Sequence, residues 1–163
     1  MDIDQVLASL KEAVDEYERR LLAISEWDVE ASRGKGEWTR KEILGHLIDS
    51  ASNNHGRFIR AQFSDDLVFP GYAQEDWVKV EHYNEEAWRQ LVQLWKRLNL
   101  HLIHVISFIP REVLTRPRAR HNLDQIGWRK VSADQPVTLE YLIEDYAEHM
   151  KDHLREIFRV DND

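Results

Sequence analysis

The stretch TLEYLIEDYAEHMKDHLREI, residues 138–157, shows most clearly how this chain folds. Apolar and aromatic side chains recur in it every three or four residues, which is the period of an amphipathic helix. Thr138 stands where such a helix needs its N-cap. The apolar stripe also contains His149 and His153, whose spacing of four places both imidazoles on one helix face, about 6 Å apart along the axis. The stretch therefore predicts a helix whose buried face carries two histidines.

The same periodicity predicts three more long helices. They extend from about Asp4 to about Ile24, from Thr39 to about Phe63, and from an N-cap at Asn84 to a stop at Pro110. Thr39 and Glu42 have the spacing of a capping box, which marks a helix start. We expect a long ordered connection over residues 64–83, with a helical turn near Gln74–Val78, and an irregular stretch over residues 111–136. The pattern favours an all-α four-helix bundle.

Length and composition narrow the class of protein. With 163 residues, 42% hydrophobic and 32% charged, the chain has the size and mixture of one globular domain, which we place at residues 1–163. No apolar stretch approaches the roughly 18 to 20 residues that cross a bilayer. Asp2 and Asp4 stand where a signal peptide would be basic. We therefore expect a cytoplasmic protein with no membrane partner.

The charge distribution argues against a nucleic-acid partner. The formal net charge is -8, and the basic residues are scattered rather than gathered on one segment. The exception is the short run Arg116–Arg120, which contains Pro117 and which we interpret as a solvated loop. We therefore expect no nucleic-acid partner.

His46 supplies a candidate third member for the histidine pair of the last helix. It lies on the flank of the second helix's apolar stripe, and a polar track formed by Ser50, Asn53 and Arg57 continues from it. Such a track beside a hydrophobic face would line a pocket. Burying two imidazoles without partners costs several kcal/mol, and a metal ion removes that cost by binding one ring nitrogen of each. We interpret His46, His149 and His153 as ligands of one divalent metal ion.

Other histidines offer weaker alternatives. Two histidines four apart on a helix are by themselves more often surface or hydrogen-bonded residues than ligands. His101 and His104 lie on the mostly polar side or the edge of the third helix, and His55 is interpreted as a packing residue. His82 and His121 lie in connections, from which His121 could reach a pocket.

The side chains available as ligands restrict which metal ions can bind but do not identify one. Cysteine is absent, so any ion is held by His, Asp or Glu. Three neutral imidazoles with one open position are typical of catalytic zinc sites, and nickel, iron and manganese also accept such ligands. Asp49 and Asp152 are candidates to orient a ligand histidine, and Asp49 could instead serve as a fourth ligand that closes the site.

Three aromatic residues are candidates for the pocket wall. Tyr72 and Trp77 lie in the long connection, where they either line a substrate pocket or plug the end of the bundle. Tyr146 precedes His149 by three residues on the same apolar stripe. We interpret all three as pocket candidates.

Three segments resemble the DinB-like superfamily, which includes the YfiT-type proteins. They are GHLIDSASNNHGRFIR at residues 45–60, FPGYAQEDWV at residues 69–78 and LIEDYAEHMKDHLREI at residues 142–157. The resemblance extends over most of the chain, from about Trp38 to about Ile157. It implies a four-helix bundle in an up-down-down-up arrangement. Similar bundles commonly pair, so it also makes a homodimer an expectation.

The resemblance further implies a metal site and a kind of activity. In similar proteins one histidine of the second helix and two on the last helix bind a divalent metal, and these positions match His46, His149 and His153. Members with a known activity include transferases that conjugate a low-molecular-weight thiol, and others are described as metal-dependent hydrolases. This chain departs from the YfiT-type pattern at Glu148, where a tryptophan is usual, and at Asp152, where a further histidine is usual.

Two functional hypotheses follow for the chain. The first is a metal-dependent enzyme that acts on a small molecule, either by hydrolysis or by transfer of a low-molecular-weight thiol cosubstrate. The second is a non-catalytic helical bundle that binds a metal or sequesters a ligand. A fourth protein ligand would favour the second hypothesis, and an open position would favour the first.

Overall fold

The computed structural model describes residues 2–159, most of which are helical. Their eight α-helices are α1 (Ile3–Leu22), α2 (Glu26–Glu30), α3 (Arg40–Arg60), α4 (Gln74–Glu81), α5 (Trp88–Ser107), α6 (Arg111–Thr115), α7 (Leu123–Ile126) and α8 (Leu139–Ile157). A short 3-10 turn, Tyr83–Glu85, precedes α5. Within the described residues there is no strand, and only two isolated bridges join loop segments. The predicted all-α class is confirmed.

The four long helices lie around the bundle in the order α1, α5, α3, α8, and contacts between them give their directions. α1 and α5 are antiparallel, as are α3 and α8, whereas α1 and α8 are parallel, as are α3 and α5. Two contacts establish each direction. α1 meets α5 through Leu21–Trp88 and Glu18–Lys96, and α3 meets α8 through Phe58–Tyr146 and His46–His149. α1 meets α8 and the residue after it through Ser9–Lys151 and Tyr17–Phe158, and α3 meets α5 and the turn before it through Thr39–Asn84 and His55–His101. The arrangement is therefore up-down-down-up, as the resemblance implies.

The apolar stripes of the four long helices meet in one core. Leu10 of α1, Leu47 of α3, Trp95 of α5 and Leu142 of α8 are all buried there. Each such side chain contributes about 1.5 to 3 kcal/mol when it is removed from water. The core therefore holds α3 against α8, the two helices that carry the candidate ligands.

Two predicted caps fix where α3 and α8 begin. Thr39 accepts a hydrogen bond from the backbone N–H of Glu42, and the Glu42 carboxylate accepts one from the backbone N–H of Thr39. Thr138 accepts a hydrogen bond from the backbone N–H of Tyr141. Because each cap sets the first residue of its helix, it also sets which later residues face the core.

The predicted N-cap at Asn84 is wrong. α5 begins at Trp88, and Asn84 lies in the preceding 3-10 turn. Its side-chain oxygen accepts a hydrogen bond from the Thr39 hydroxyl, and its amide donates to Glu42. The side chain is thus engaged with the start of a different helix, which periodicity within one segment cannot reveal.

Three other predicted boundaries are corrected. α1 ends at Leu22 rather than near Ile24, because Ser25 caps a new short helix by accepting from the N–H of Asp28. The helical turn expected over Gln74–Val78 continues to Glu81. The stretch expected to be irregular contains α6 and α7. No helix within the described part of the chain has the length and apolar character to span a membrane.

The basic run after α6 is bound to the bundle rather than fully solvated. Arg118 is only 2% exposed and donates hydrogen bonds to the carbonyls of Val113 and Ala61. Arg116 and Arg120 form ion pairs with aspartates of the connection after α3. The prediction of a solvated loop is therefore wrong for Arg118, which ties the chain's two long connections to the bundle.

Gly45 allows the crossover, the connection between α3 and α5, to pack closely on α3. A Cβ atom at this position would overlap the ring of the buried Tyr83. We predict that Gly45→Ala lowers the free energy of unfolding by about 1 to 3 kcal/mol, since the ring must move within a packed core. Urea unfolding followed by circular dichroism measures this.

Gly56→Ala in the same helix is the matched control. Its Cβ would meet only the flexible end of Arg60, at 3.2 Å. This variant should be neutral or gain up to about 1 kcal/mol from better helix propensity. Equal effects of the two substitutions would contradict the packing argument.

Candidate metal centre

His46 reaches the site from the second turn of α3. The cap at Thr39 sets the register that turns residue 46 inward, and the side chain is only 1% exposed. The ring of Trp38 lies beside it, with centroids 5.2 Å apart. His46 therefore enters the core on the side of the bundle where α3 faces α8.

His149 and His153 meet His46 from consecutive turns of α8. Their ring centroids are 4.6 Å apart, and they lie 5.1 and 4.9 Å from the centroid of His46. The Nε2 atoms of His46 and His149 are 3.2 Å apart, and one ligand nitrogen of each of the three residues lies within 4.8 Å of the others. The structure thus brings together the three histidines that the sequence indicates.

Hydrogen bonds on the outer side of the rings orient two of these histidines. Nδ1 of His153 lies 2.8 Å from a Glu156 carboxylate oxygen, and Nδ1 of His149 lies 3.5 Å from the Ser50 hydroxyl. Such partners fix the ring and leave Nε2 facing the shared centre. Nδ1 of His46 is buried and finds no hydrogen-bond partner among residues 2–159.

Burial keeps two of the three imidazoles free of a second proton at neutral pH. Burial, with charge repulsion from His153 as a smaller cause, lowers the pKa of His46 to about 4 and that of His149 to about 3. Neutral imidazole is the form that binds a metal ion. Three imidazoles that converge at this distance fit one divalent ion.

A cavity of about 430 Å³ opens beside the histidines. Its walls include His46, His149 and four residues that the sequence marks as pocket candidates, namely Ser50, Arg57, Tyr72 and Tyr146. The Tyr146 hydroxyl donates to Asn99 at 2.5 Å, so this tyrosine is also anchored in the core. The volume is within the range of sites for small ligands.

The other four candidates lie elsewhere. Asp49 is buried, but it accepts a 2.6 Å hydrogen bond from the Tyr83 hydroxyl, and burial raises its pKa to about 6. Asn53 donates to the carbonyl of Asp49. Trp77 packs on Tyr72 outside the cavity wall, and the carboxylate of Asp152 faces Arg155. Within residues 2–159 no hydrogen bond, ion pair or ring contact joins any of the four to the three histidines.

Sequence reasoning missed several residues of the site. The ring of Trp128 lies 5.1 Å from that of His149 and 5.8 Å from that of His153, and so covers the pair. Asp145 holds this segment in place, because its carboxylate accepts from the backbone N–H groups of Trp128 and Arg129. Nothing in the local pattern predicts where Trp128 lies, whereas Glu156, three residues after His153, could have been found from helix spacing.

The remaining histidines form no comparable centre. The His101 ring stacks on that of His104 with centroids 6.1 Å apart, and the His55 ring lies tilted beside that of His101 at 5.3 Å. His121 is buried, accepts at Nδ1 from a backbone N–H and lies 2.8 Å from the Gln135 carbonyl through Nε2. Among residues 2–159, the only close group of three potential ligands is His46, His149 and His153.

Comparison with known proteins supports the fold assignment. No family model matches the chain, and no curated protein matches it in sequence. Its three-dimensional fold is that of the YfiT-type four-helix bundles, the class that the sequences of α3 and α8 resemble. The particular match is YfiT from Bacillus subtilis, described as a probable metal-dependent hydrolase with an unusual four-helix bundle topology. The two structures align with a TM-score of 0.75 at 17% sequence identity, over 94% of this chain and 82% of that one.

The lowered pKa values make the metal-free protein sensitive to acid. In the unfolded chain His46 and His149 bind protons below about pH 6.5, whereas in the folded chain they stay neutral down to about pH 4 and about pH 3. The free energy of unfolding should therefore fall as pH drops from about 6.5 to about 4, by up to about 1.4 kcal/mol per pH unit for each histidine. Chemical denaturation of chelator-treated protein across this range measures the slope.

The double variant His46→Gln, His149→Gln controls for the carboxylates that also titrate in acid. Its stability should fall less steeply between pH 6.5 and pH 4 than that of the unaltered protein. Identical slopes would show that the two histidines are not held neutral in the folded state.

Proposed function

We propose that this chain is a divalent-metal-dependent enzyme that acts on a small molecule, with His46, His149 and His153 as the metal ligands. The convergence of three imidazoles beside a cavity, two of them held neutral by burial, carries this proposal. A bound ion with three protein ligands supplies a Lewis acid with a free coordination position. Zinc, nickel, iron and manganese all accept this set of ligands.

The residues around the histidines prepare the site for such chemistry. Ser50 and Glu156 orient two rings, and Trp38 and Trp128 cover the histidines with apolar surface. Apolar surface beside the histidines lowers the local dielectric constant and so strengthens electrostatic interactions there. Tyr72 lines the cavity, and its hydroxyl, which is protonated at neutral pH, can donate a hydrogen bond to a ligand there.

Hydrolysis is the reaction class that we place first. The similarity to YfiT, which is described as a probable metal-dependent hydrolase, supports it. Transfer of a low-molecular-weight thiol is the second class, which the sequence resemblance implies. Both reactions need the same free position at the three histidines, so one assay can compare them.

A purely structural metal site is the alternative from a different class. It would need a fourth protein ligand, for which Asp49 is the candidate on α3. Asp49 is instead engaged with Tyr83, and the close ligand group among residues 2–159 has three members. This favours an open site.

Metal content tests the ligand assignment. Elemental analysis of tag-free protein should find about one divalent ion per chain after loading with zinc, nickel or manganese, and almost none in His149→Ala. The matched control is His101→Ala, His104→Ala, which removes two exposed imidazoles and should keep the ion. Unchanged metal content in His149→Ala would refute the assignment.

Activity tests the enzyme proposal. Metal-loaded protein should hydrolyse one or more members of a panel of small ester, amide and lactone substrates, and chelation or His149→Ala should reduce the rate to background. A parallel arm supplies a small thiol with an electrophilic acceptor and follows loss of the free thiol. A metal-loaded protein inactive in both arms would support the non-catalytic alternative instead.

A further inference from the structure

Arg57 is a buried cation in the wall of the cavity. It lies on α3, is 6% exposed, and donates hydrogen bonds to the side-chain oxygen of Asn54 at 3.4 Å and to the carbonyl of Pro70 at 3.3 Å. Among residues 2–159 no carboxylate forms an ion pair with it. Both of these partners are neutral, so its charge is left uncompensated by the protein.

Burying a charge that has no ion-pair partner costs free energy. Burial lowers the pKa of Arg57, which expresses the free-energy cost of taking its charge out of water, and the nearby Tyr72 opposes that shift. An arginine still remains protonated at neutral pH. Removing a buried charge from water without an ion partner costs several kcal/mol. An anionic ligand in the cavity would remove this cost.

The other charged groups of the cavity wall strengthen this argument. Lys130 adds a second cation. Asp145 is the one acidic residue among the described lining residues, and it is engaged with the guanidinium and backbone N–H of Arg129 and with the backbone N–H of Trp128. The cavity is thus positive before any metal is added, although the whole chain has a net charge of -8.

Neutral donors lie between Arg57 and the histidines. The polar side chains of Ser50 and Asn54 follow His46 on α3 at intervals of four residues, and all three line the cavity. Tyr72 faces them from the connection after α3. Burial raises the pKa of the Tyr72 hydroxyl, and the nearby Ser50 hydroxyl offsets a smaller part of that rise. A polar path therefore connects the cation to the candidate metal ligands.

We propose that the cavity binds a small molecule with a terminal anionic group, a carboxylate or a phosphate, which Arg57 holds while the rest of the molecule extends to the three histidines. The planar guanidinium suits both groups, because each offers two oxygens to its paired N–H donors. This inference rests on the proposed function for the reaction at the histidines. Binding of the anion by Arg57 does not depend on it.

Helix geometry gives the molecule a minimum length. His46 and Arg57 are eleven residues apart on α3, which places their Cα atoms about 16 Å apart along the axis. The arginine side chain leans toward the helix N-terminus and shortens that gap. A bare anion can therefore bind Arg57 without touching the histidines, whereas a substrate must span the cavity between them.

Calorimetric titration of metal-loaded and chelator-treated protein tests this inference. The probes are benzoate and phenyl phosphate, with neutral benzamide and benzyl alcohol as the matched uncharged ligands. We expect the anions to bind at least about tenfold more tightly than the neutral probes in both preparations. In chelator-treated protein, where no metal ion can bind the anion, Arg57→Gln should abolish that preference, and Arg57→Lys should retain part of it. Comparison of benzoate with phenyl phosphate shows which anionic group the site prefers.

Arg120→Gln is the control variant, because Arg120 is exposed and pairs with Asp66 away from the cavity. It should bind both anions as the unaltered protein does. Anion affinity that is unchanged in a folded Arg57→Gln variant, or a protein without preference for anions, would overturn the inference. If Arg57→Gln does not fold, two results replace it. Anion affinity that is unchanged in Arg57→Lys, or an unaltered protein that binds anions no more tightly than neutral probes, would overturn the inference.

The two proposals can fail separately in this experiment. A chain that binds no metal but prefers anions through Arg57 would refute the proposed function and leave the anion site standing. A chain that binds metal through its histidines but shows equal affinity for anions in Arg57→Gln would refute only the anion site. Metal content is measured on every variant to separate these outcomes.

Discussion

The antiparallel packing of α3 against α8 is the constraint on which the rest of the site depends. It places His46, near the start of α3, opposite His149 and His153 in the second half of α8. Each helix alone would present its imidazoles to solvent. Packed together, they bury His46 fully and His149 and His153 partly, so that hydrogen-bond partners within the protein replace part of the water. Two of the three rings have such a partner, in Ser50 or Glu156.

The up-down-down-up arrangement explains why long connections form part of the site. Because α3 and α5 are parallel, the chain must return along the whole bundle between them, and a short turn cannot do this. The return segment brings Tyr72 to the cavity, and the long connection before α8 brings Trp128. The topology thus closes the cavity with residues that neither α3 nor α8 could supply.

Local patterns in the sequence predict the helices and the three histidines that the fold brings together, and long-range contacts account for the errors. The caps at Thr39 and Thr138 depend on residues three positions away, and the histidine pair depends on a spacing of four, so both are visible in one segment. Asn84 failed as a predicted cap because its partners are more than forty residues away. Trp128 was missed for a similar reason, since the Asp145 carboxylate that accepts from its backbone N–H lies 17 residues further along the chain.

α3 departs most clearly from the rule that buried helix positions are apolar. It faces α5, α8 and the crossover helix α4, so little of its surface can reach bulk water. Yet His46, Ser50, Asn54 and Arg57 are buried along it, at the wall of one cavity. Hydrophobic side chains at these positions would pack without unsatisfied groups and would stabilise the bundle more. Departures from local consistency are expected where a site is built, and their grouping around a single cavity argues that α3 is shaped by binding as well as by folding.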